Sequence, residues 1–237
     1  MQYLALATDY DGTLAKDGHV DAQTIDALKR WRDSGRKVIL ITGRQLDDFL
    51  NIFSEMELFD RVVAENGAAI YRPADRSVLL LGEPPSEEFK QRLRDRIFNA
   101  EQNQSVSGEF KHLATDRILE FGRVIAATWT PHDLTVKEVM QEMGLNHLQV
   151  IMNKGAVMVL PIGVDKASGL KVALEELNLP LETVVGVGDA ENDMAFLGLC
   201  GYSVAVANAL SSVKEAVDWV TEGSRGAGVT ELIDRLL

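Results

Sequence analysis

Apolar and polar positions follow two rhythms along this chain. Residues 3–8 are a short apolar run that reads as a buried parallel strand. Asp21 can cap a helix, and Ala22, Ile25, Leu28 and Trp31 follow at helical spacing until Gly35 ends it. A second apolar run covers 37–42. Leu46, Phe49, Leu50 and Phe53 then predict a helix over 45–56, and a third strand is expected at 61–64. Short apolar strands alternating with amphipathic helices predict βαβ units and a parallel sheet.

The rhythm changes after residue 82. A strand at 78–81 precedes Glu83-Pro84-Pro85-Ser86, which reads as a hinge. Phe89, Leu93 and Ile97 share one face of a helix over 86–102. Two β-rich stretches follow, near 106–113 and 117–130. A second helix covers 132–143, and the strands 148–152 and 156–160 read as a hairpin joined by Asn153-Lys154-Gly155. The pattern of helix, two strands, helix, two strands predicts an inserted α+β unit.

The first rhythm resumes with a helix over 166–178 and a strand over 183–188. Shorter units follow at 202–206, 211–217 and 219–221, and a helix closes the chain. The fold class expected is α/β: a Rossmann-like parallel sheet core flanked by helices, with an inserted α+β cap. Residues 1–82 and 161–237 would form the core and residues 83–160 the insert.

Charge supports that division. The insert holds 9 Lys and Arg against 11 Asp and Glu, whereas the rest holds 15 against 25. Lys111, Arg117, Arg123 and Lys154 lie in β-rich parts of the insert, where they could face an anion across a cleft. The net charge of −12 argues against nucleic acid and anionic membrane as partners. No apolar span is long enough to cross a membrane. The single cysteine, Cys200, excludes an internal disulfide and fits a reducing, cytoplasmic setting.

Candidate chemistry gathers at predicted strand ends, where open α/β sheets bind ligands. Asp9 and Asp11 end the first strand. Their i, i+2 spacing aims both carboxylates at one point if the extended conformation persists. Two like charges there require a cation, a shared proton or a catalytic purpose. Thr42 and Gly43 end the second strand, Lys166 opens a helix, and Asp189, Asn192 and Asp193 follow the strand at 183–188. Taken singly, Thr42 fits a helix N-cap, Lys166 a solvated surface and Asp189–Asp193 an acidic loop. The chain has no P-loop pattern, Glu191 holds the third glycine position of a dinucleotide fingerprint, and the four histidines have no zinc spacing.

Together, Asp9-Tyr10-Asp11-Gly12-Thr13-Leu14, Thr42-Gly43-Arg44, Lys166 and Gly188-Asp189-Ala190-Glu191-Asn192-Asp193 resemble the four motifs of the haloacid dehalogenase superfamily. An insert between the second and third motifs resembles its type-two cap. Glu65-Asn66-Gly67-Ala68 and the small αββαββ insert are similar to Cof-type members. The resemblance implies a phosphatase acting through an aspartyl-phosphate. Asp9 would be the nucleophile and Asp11 the general acid and base. Mg²⁺ would be held by Asp9, the Asp11 carbonyl and Asp189, with Asp193 binding it directly or through an intervening group. Thr42, Gly43, Lys166 and Asn192 would bind the phosphoryl group. The insert would be a lid, with Asn153, Lys154, Arg117 and Arg123 as candidate contacts to a small phosphorylated metabolite. A phosphomutase of the same superfamily and a non-catalytic sugar-phosphate sensor remain the competing readings, and nothing in the sequence sets the oligomeric state.

Overall fold

The computed structural model describes residues 3–103 and 118–237. The expected strand at 106–113 and the basic residues Lys111 and Arg117 lie outside these residues.

Among the described residues, twelve strands form two sheets. The larger has eight strands in the order β12-β11-β10-β1-β2-β3-β4-β5. Its parallel part comprises β1 (Ala5–Asp9), β2 (Lys37–Ile41), β3 (Arg61–Ala64), β10 (Val184–Gly188), β11 (Tyr202–Ala205) and β12 (Trp219–Val220). β1 and β10 are buried along their whole length, which explains their unbroken runs of small and apolar residues. Helix α1 (Ala22–Asp33) and the last helix (Gly226–Leu236) pack on each other, and α5 (Lys166–Leu177) packs on β3. Trp31, Leu28, Ile39, Leu170 and Phe196 belong to one continuous core.

Two departures stand out. The helix after β2, α2 (Leu46–Ile52), is shorter than its periodicity predicts, because Phe53 is extended and Met56–Leu58 form a separate 3₁₀ turn. A strand absent from the sequence expectations, β4 (Ala69–Arg72), pairs antiparallel with β3 and with β5 (Ser77–Leu80). This hairpin extends the parallel sheet by two antiparallel edge strands.

The second sheet is antiparallel, in the order β6-β7-β9-β8. The β-rich stretch at 117–130 resolves into β6 (Leu119–Phe121) and β7 (Ala126–Trp129); β8 (Leu148–Asn153) and β9 (Ala156–Pro161) form the expected hairpin. Phe89 and Leu93 of α3 (Glu87–Asn103) and Val136 and Val139 of α4 (Asp133–Glu142) pack with Ala126, Val157 and Val159 in a core of their own. Alternate residues of the same strands point the other way. Met158, Leu160 and Ile125 form a third cluster with Ala68, beside β3 of the large sheet. Period-2 alternation thus gives this sheet one face for its own helices and one for the larger sheet.

Candidate active site

In the sheet order β1 lies between β10 and β2, and successive connections leave it in opposite directions. That is the topological switch point, where the strands' carboxyl ends leave a crevice. Asp9 is the last residue of β1, Thr42 follows β2, and Asp189 follows β10. Asp165 caps α5 reciprocally with Ser168, and that cap presents Lys166 as the first helical residue. Gly67 has φ 111°, and a Cβ there would lie 1.9 Å from the Asp165 carbonyl oxygen. Only glycine lets the turn after β3 lie against the start of α5.

Lys166 is 1% exposed, and its ammonium joins two carboxylates. Nζ donates to Asp9 Oδ1 at 2.7 Å and to Asp193 Oδ1 at 2.6 Å. Asp193 Oδ2 accepts the backbone amides of Asp189 and Ala190 at 2.8 and 2.9 Å, which folds the loop after β10 around it. Asp9, Asp189 and Asp193 each offer an oxygen within 4.8 Å of the others. Burial pushes the Asp9 carboxyl up to about 7, and Asp193 adds to this while Lys166 opposes it. Burial also raises Asp189. Burial works against the Lys166 charge, but Asp193 and Asp9 outweigh it and hold the ammonium above the usual lysine range. The solvated-surface reading of Lys166 is therefore wrong.

Asp189 has one oxygen engaged and one waiting. Its Oδ2 accepts from Lys154 Nζ at 2.7 Å, and its buried Oδ1 has no partner among the described residues. Gly12 has φ +87°, and a Cβ there would stand 2.2 Å from Asp189 Oδ2. Gly12→Ala should therefore cost about 1–2 kcal/mol in backbone strain alone, and more from displacing Asp189. Urea denaturation of the variant checks this, and stability equal to the parent's would contradict it.

Thr42 is not an N-cap: Gln45 holds that position, and Thr42 Oγ1 accepts the Arg44 amide at 3.1 Å. A Cβ on Gly43 would lie 3.9 Å from Asn192 Nδ2 and 3.8 Å from the Met158 sulfur, so Gly43 sits between the large sheet and the inserted one. Lys166, Asp189 and Asp193 gather around Asp9; Thr42 follows Ile41, the β2 partner of Asp9, and Gly43 lies against Asn192.

The Asp11 carboxylate is the exception. β1 ends at Asp9, and the Tyr10 carbonyl then accepts the amides of Thr13, Leu14 and Ala15, so the chain turns instead of staying extended. Asp11 is exposed and binds Arg44 through two contacts, Nε–Oδ2 at 2.6 Å and Nη2–Oδ1 at 2.7 Å. The expected convergence of Asp9 and Asp11 side chains is absent in this conformation.

Three residues at the site had no assigned role from sequence. Asn66 Oδ1 accepts from Asn192 Nδ2 at 2.9 Å, while Asn66 Nδ2 and Asn192 Oδ1 are buried without a partner among the described residues. Asn208 donates to the Gly12 carbonyl at 2.8 Å and accepts the Arg225 amide at 2.8 Å. Glu65 is fully buried, and its carboxylate accepts the amides of Arg123, Val124 and Ile125 at 2.9, 2.8 and 3.0 Å. It ties the β6–β7 turn to the large sheet. Asn208 follows β11 as Asp189 follows β10, so its strand-end position was the available signal.

The sequence matches the haloacid dehalogenase-like hydrolase family over residues 6–107 and 90–233. The chain belongs to this family. It is 28% identical over 234 residues to a phosphoglycolate phosphatase of Methanothermobacter thermautotrophicus, covering 98% of both chains. It is 27% identical over 237 residues to a 5-amino-6-(5-phospho-D-ribitylamino)uracil phosphatase of Bacillus subtilis, covering 96% of this chain and 93% of that one. A haloacid dehalogenase/Cof-like hydrolase from Plasmodium vivax has the same fold, with a TM-score of 0.74 at 23% identity over 99% of this chain and 95% of that one. This hydrolase is a phosphatase of the haloacid dehalogenase superfamily, as the motif resemblance implied. Among its described residues no helix is long and apolar enough to cross a membrane.

Proposed function

We propose that the protein hydrolyses a small phosphorylated metabolite with Mg²⁺, by transient phosphorylation of Asp9. The observation that carries this reading is the buried ammonium of Lys166 bridging Asp9 and Asp193 at the switch point of the sheet. Lys166 holds Asp9 Oδ1, which orients Oδ2 as the attacking oxygen. Attack forms the Asp9–phosphorus bond and breaks the ester bond to the leaving oxygen, which takes a proton from Asp11. Asp11 then accepts a proton from water as the water attacks phosphorus. The Asp9–phosphorus bond breaks and inorganic phosphate leaves. For both steps the Asp11 carboxyl must turn from Arg44 toward the reacting oxygens.

The donor set fits Mg²⁺. Hard carboxylate oxygens converge, and Asp189 Oδ1 is buried with no partner among the described residues. Asp9, Asp189 and the Asp11 carbonyl would hold the ion. Asp193 would act from one layer out, because Lys166 and two amides already engage its oxygens. The bound ion would reduce repulsion between Asp9 and the phosphate it attacks. The Thr42 hydroxyl, the Gly43 amide, Lys166 and Asn192 would bind the phosphoryl oxygens, with Asn66 fixing the Asn192 amide.

We further propose residues 83–160 as a cap over residues 1–82 and 161–237. Met158 lies close over Gly43, which leaves room for a metabolite rather than a phosphoprotein. Phosphoglycolate is the first candidate and a phosphorylated sugar derivative the second, given relatives named for phosphoglycolate and for a phosphoribityl compound. The single Cys200, whose thiol burial pushes up to about 12, suits a reducing cytoplasm. A panel of phosphorylated metabolites, assayed for phosphate release with Mg²⁺ and with chelator, tests the proposal. Release with Mg²⁺ and without a bisphosphate activator supports the hydrolase over a mutase. Activity undiminished by chelator would overturn the metal assignment, and no turnover of any ester would favour a sensor.

A further inference from the structure

The inserted sheet delivers a cation straight into the carboxylate cluster. Lys154 and Gly155 form the two-residue turn between β8 and β9, with φ 46° and 86°. Both positions of such a turn favour glycine or asparagine. A lysine there accepts backbone strain, so its side chain needs a reason to be present. Its Nζ lies 2.7 Å from Asp189 Oδ2. The Asp189 side chain is 2% exposed, while that of Lys154 is 41% exposed and reaches inward from the rim. The glycine at position 12 keeps the approach to this oxygen clear.

We propose that Lys154 is a built-in occupant of the divalent-cation site. Its ammonium neutralises Asp189 when no cation is bound. An arriving cation displaces it from Asp189 toward the bound substrate, where it meets an anionic group. The inference rests on the reading of Asp189 as a metal ligand. A unit charge on Oδ2 and a divalent ion on Oδ1 of one buried carboxylate repel each other strongly. Each must therefore weaken the other's binding by the same factor. Lys154 belongs to the insert and Asp189 to the large sheet, so the exchange also makes the contact between them depend on the cation.

Two measurements on the full chain without substrate test this. Mn²⁺ affinity, read by electron paramagnetic resonance, should tighten about three- to ten-fold in Lys154→Met, the size expected for a half-exposed ion pair and its local field. Acetylation of Lys154 in the parent, read by mass spectrometry, should speed up when Mg²⁺ is added, while acetylation of the exposed Lys171 stays constant. Equal or weaker Mn²⁺ affinity in Lys154→Met, or acetylation of Lys154 indifferent to Mg²⁺, would overturn the proposal. If the folded parent binds no Mn²⁺ at all, the metal reading of Asp189 fails first and this inference falls with it.

Discussion

Asp9→Asn is expected to lower kcat for any phosphate ester by at least about 10⁴-fold, the order seen when a covalent nucleophile is removed. The amide has nearly the same shape but cannot form the phosphoryl intermediate. The fold should survive, and in chelator it should be more robust than the parent at alkaline pH. The Asp9 carboxyl stands at about 7, raised by burial and by Asp193, against an ordinary value of ~3.9. A raised acid contributes stability below its unfolded value and loses it as pH climbs through the folded value. That loss falls between about pH 4 and 7, and Asn at this position escapes it. Thermal melts in chelator should place Asp9→Asn above the parent at pH 8 by at least about 2–4 °C, the shift that 1 kcal/mol makes in a chain of this size. The gap should close toward pH 4. Phosphate release comparable to the parent's would refute the nucleophile assignment, and a pH-independent melting difference would refute the electrostatic one.

Lys166→Met should be the most damaging single change to the resting protein. It removes the one ammonium shared by Asp9 and Asp193 and leaves two buried carboxylates facing each other. Breaking a buried ion pair from one side typically costs about 3–5 kcal/mol. Without Lys166 the charge that opposes the rise of the Asp9 carboxyl is gone and that carboxyl is pushed further up, so protonation relieves the repulsion. The destabilisation should be full at neutral and alkaline pH and shrink as pH falls toward about 4. Urea denaturation from pH 5 to 8 follows this directly. Turnover should drop by about 10²–10³-fold, as for loss of one preorganised donor to a transition-state oxygen. Lys171→Ala, an exposed change on the same helix, should leave both measurements near the parent's. Equal, small effects of the two substitutions would mean that Lys166 does not organise the site.

Much of the scaffold was legible because its signals are local. The runs before Asp9, Thr42 and Asp189 are almost wholly apolar, with Thr8 and the exposed Lys37 the exceptions, as strands covered on both faces must be. The N-cap at Asp21 and the hairpin at 154–155 follow from the chemistry of a few neighbouring residues. Where a local signal was weak, the reading failed: β4 is four residues long, and its pairing with β3 depends on the backbone reversal at Glu65, Asn66 and Gly67.

The site divides along the same line. Sequence alone determined which strand ends carry carboxylates, a hydroxyl and a lysine, because the order of strands and helices sends those ends to one edge of a parallel sheet. Tertiary structure alone decided their partners. Asp11 turns to Arg44, Asp189 meets Lys154, and Glu65 gathers the amides of 123–125, across 33, 35 and up to 60 residues of chain. Periodicity tells which face a side chain uses, but a charge settles on whatever opposite charge packing brings within hydrogen-bonding distance. That choice exists only once the chain has folded.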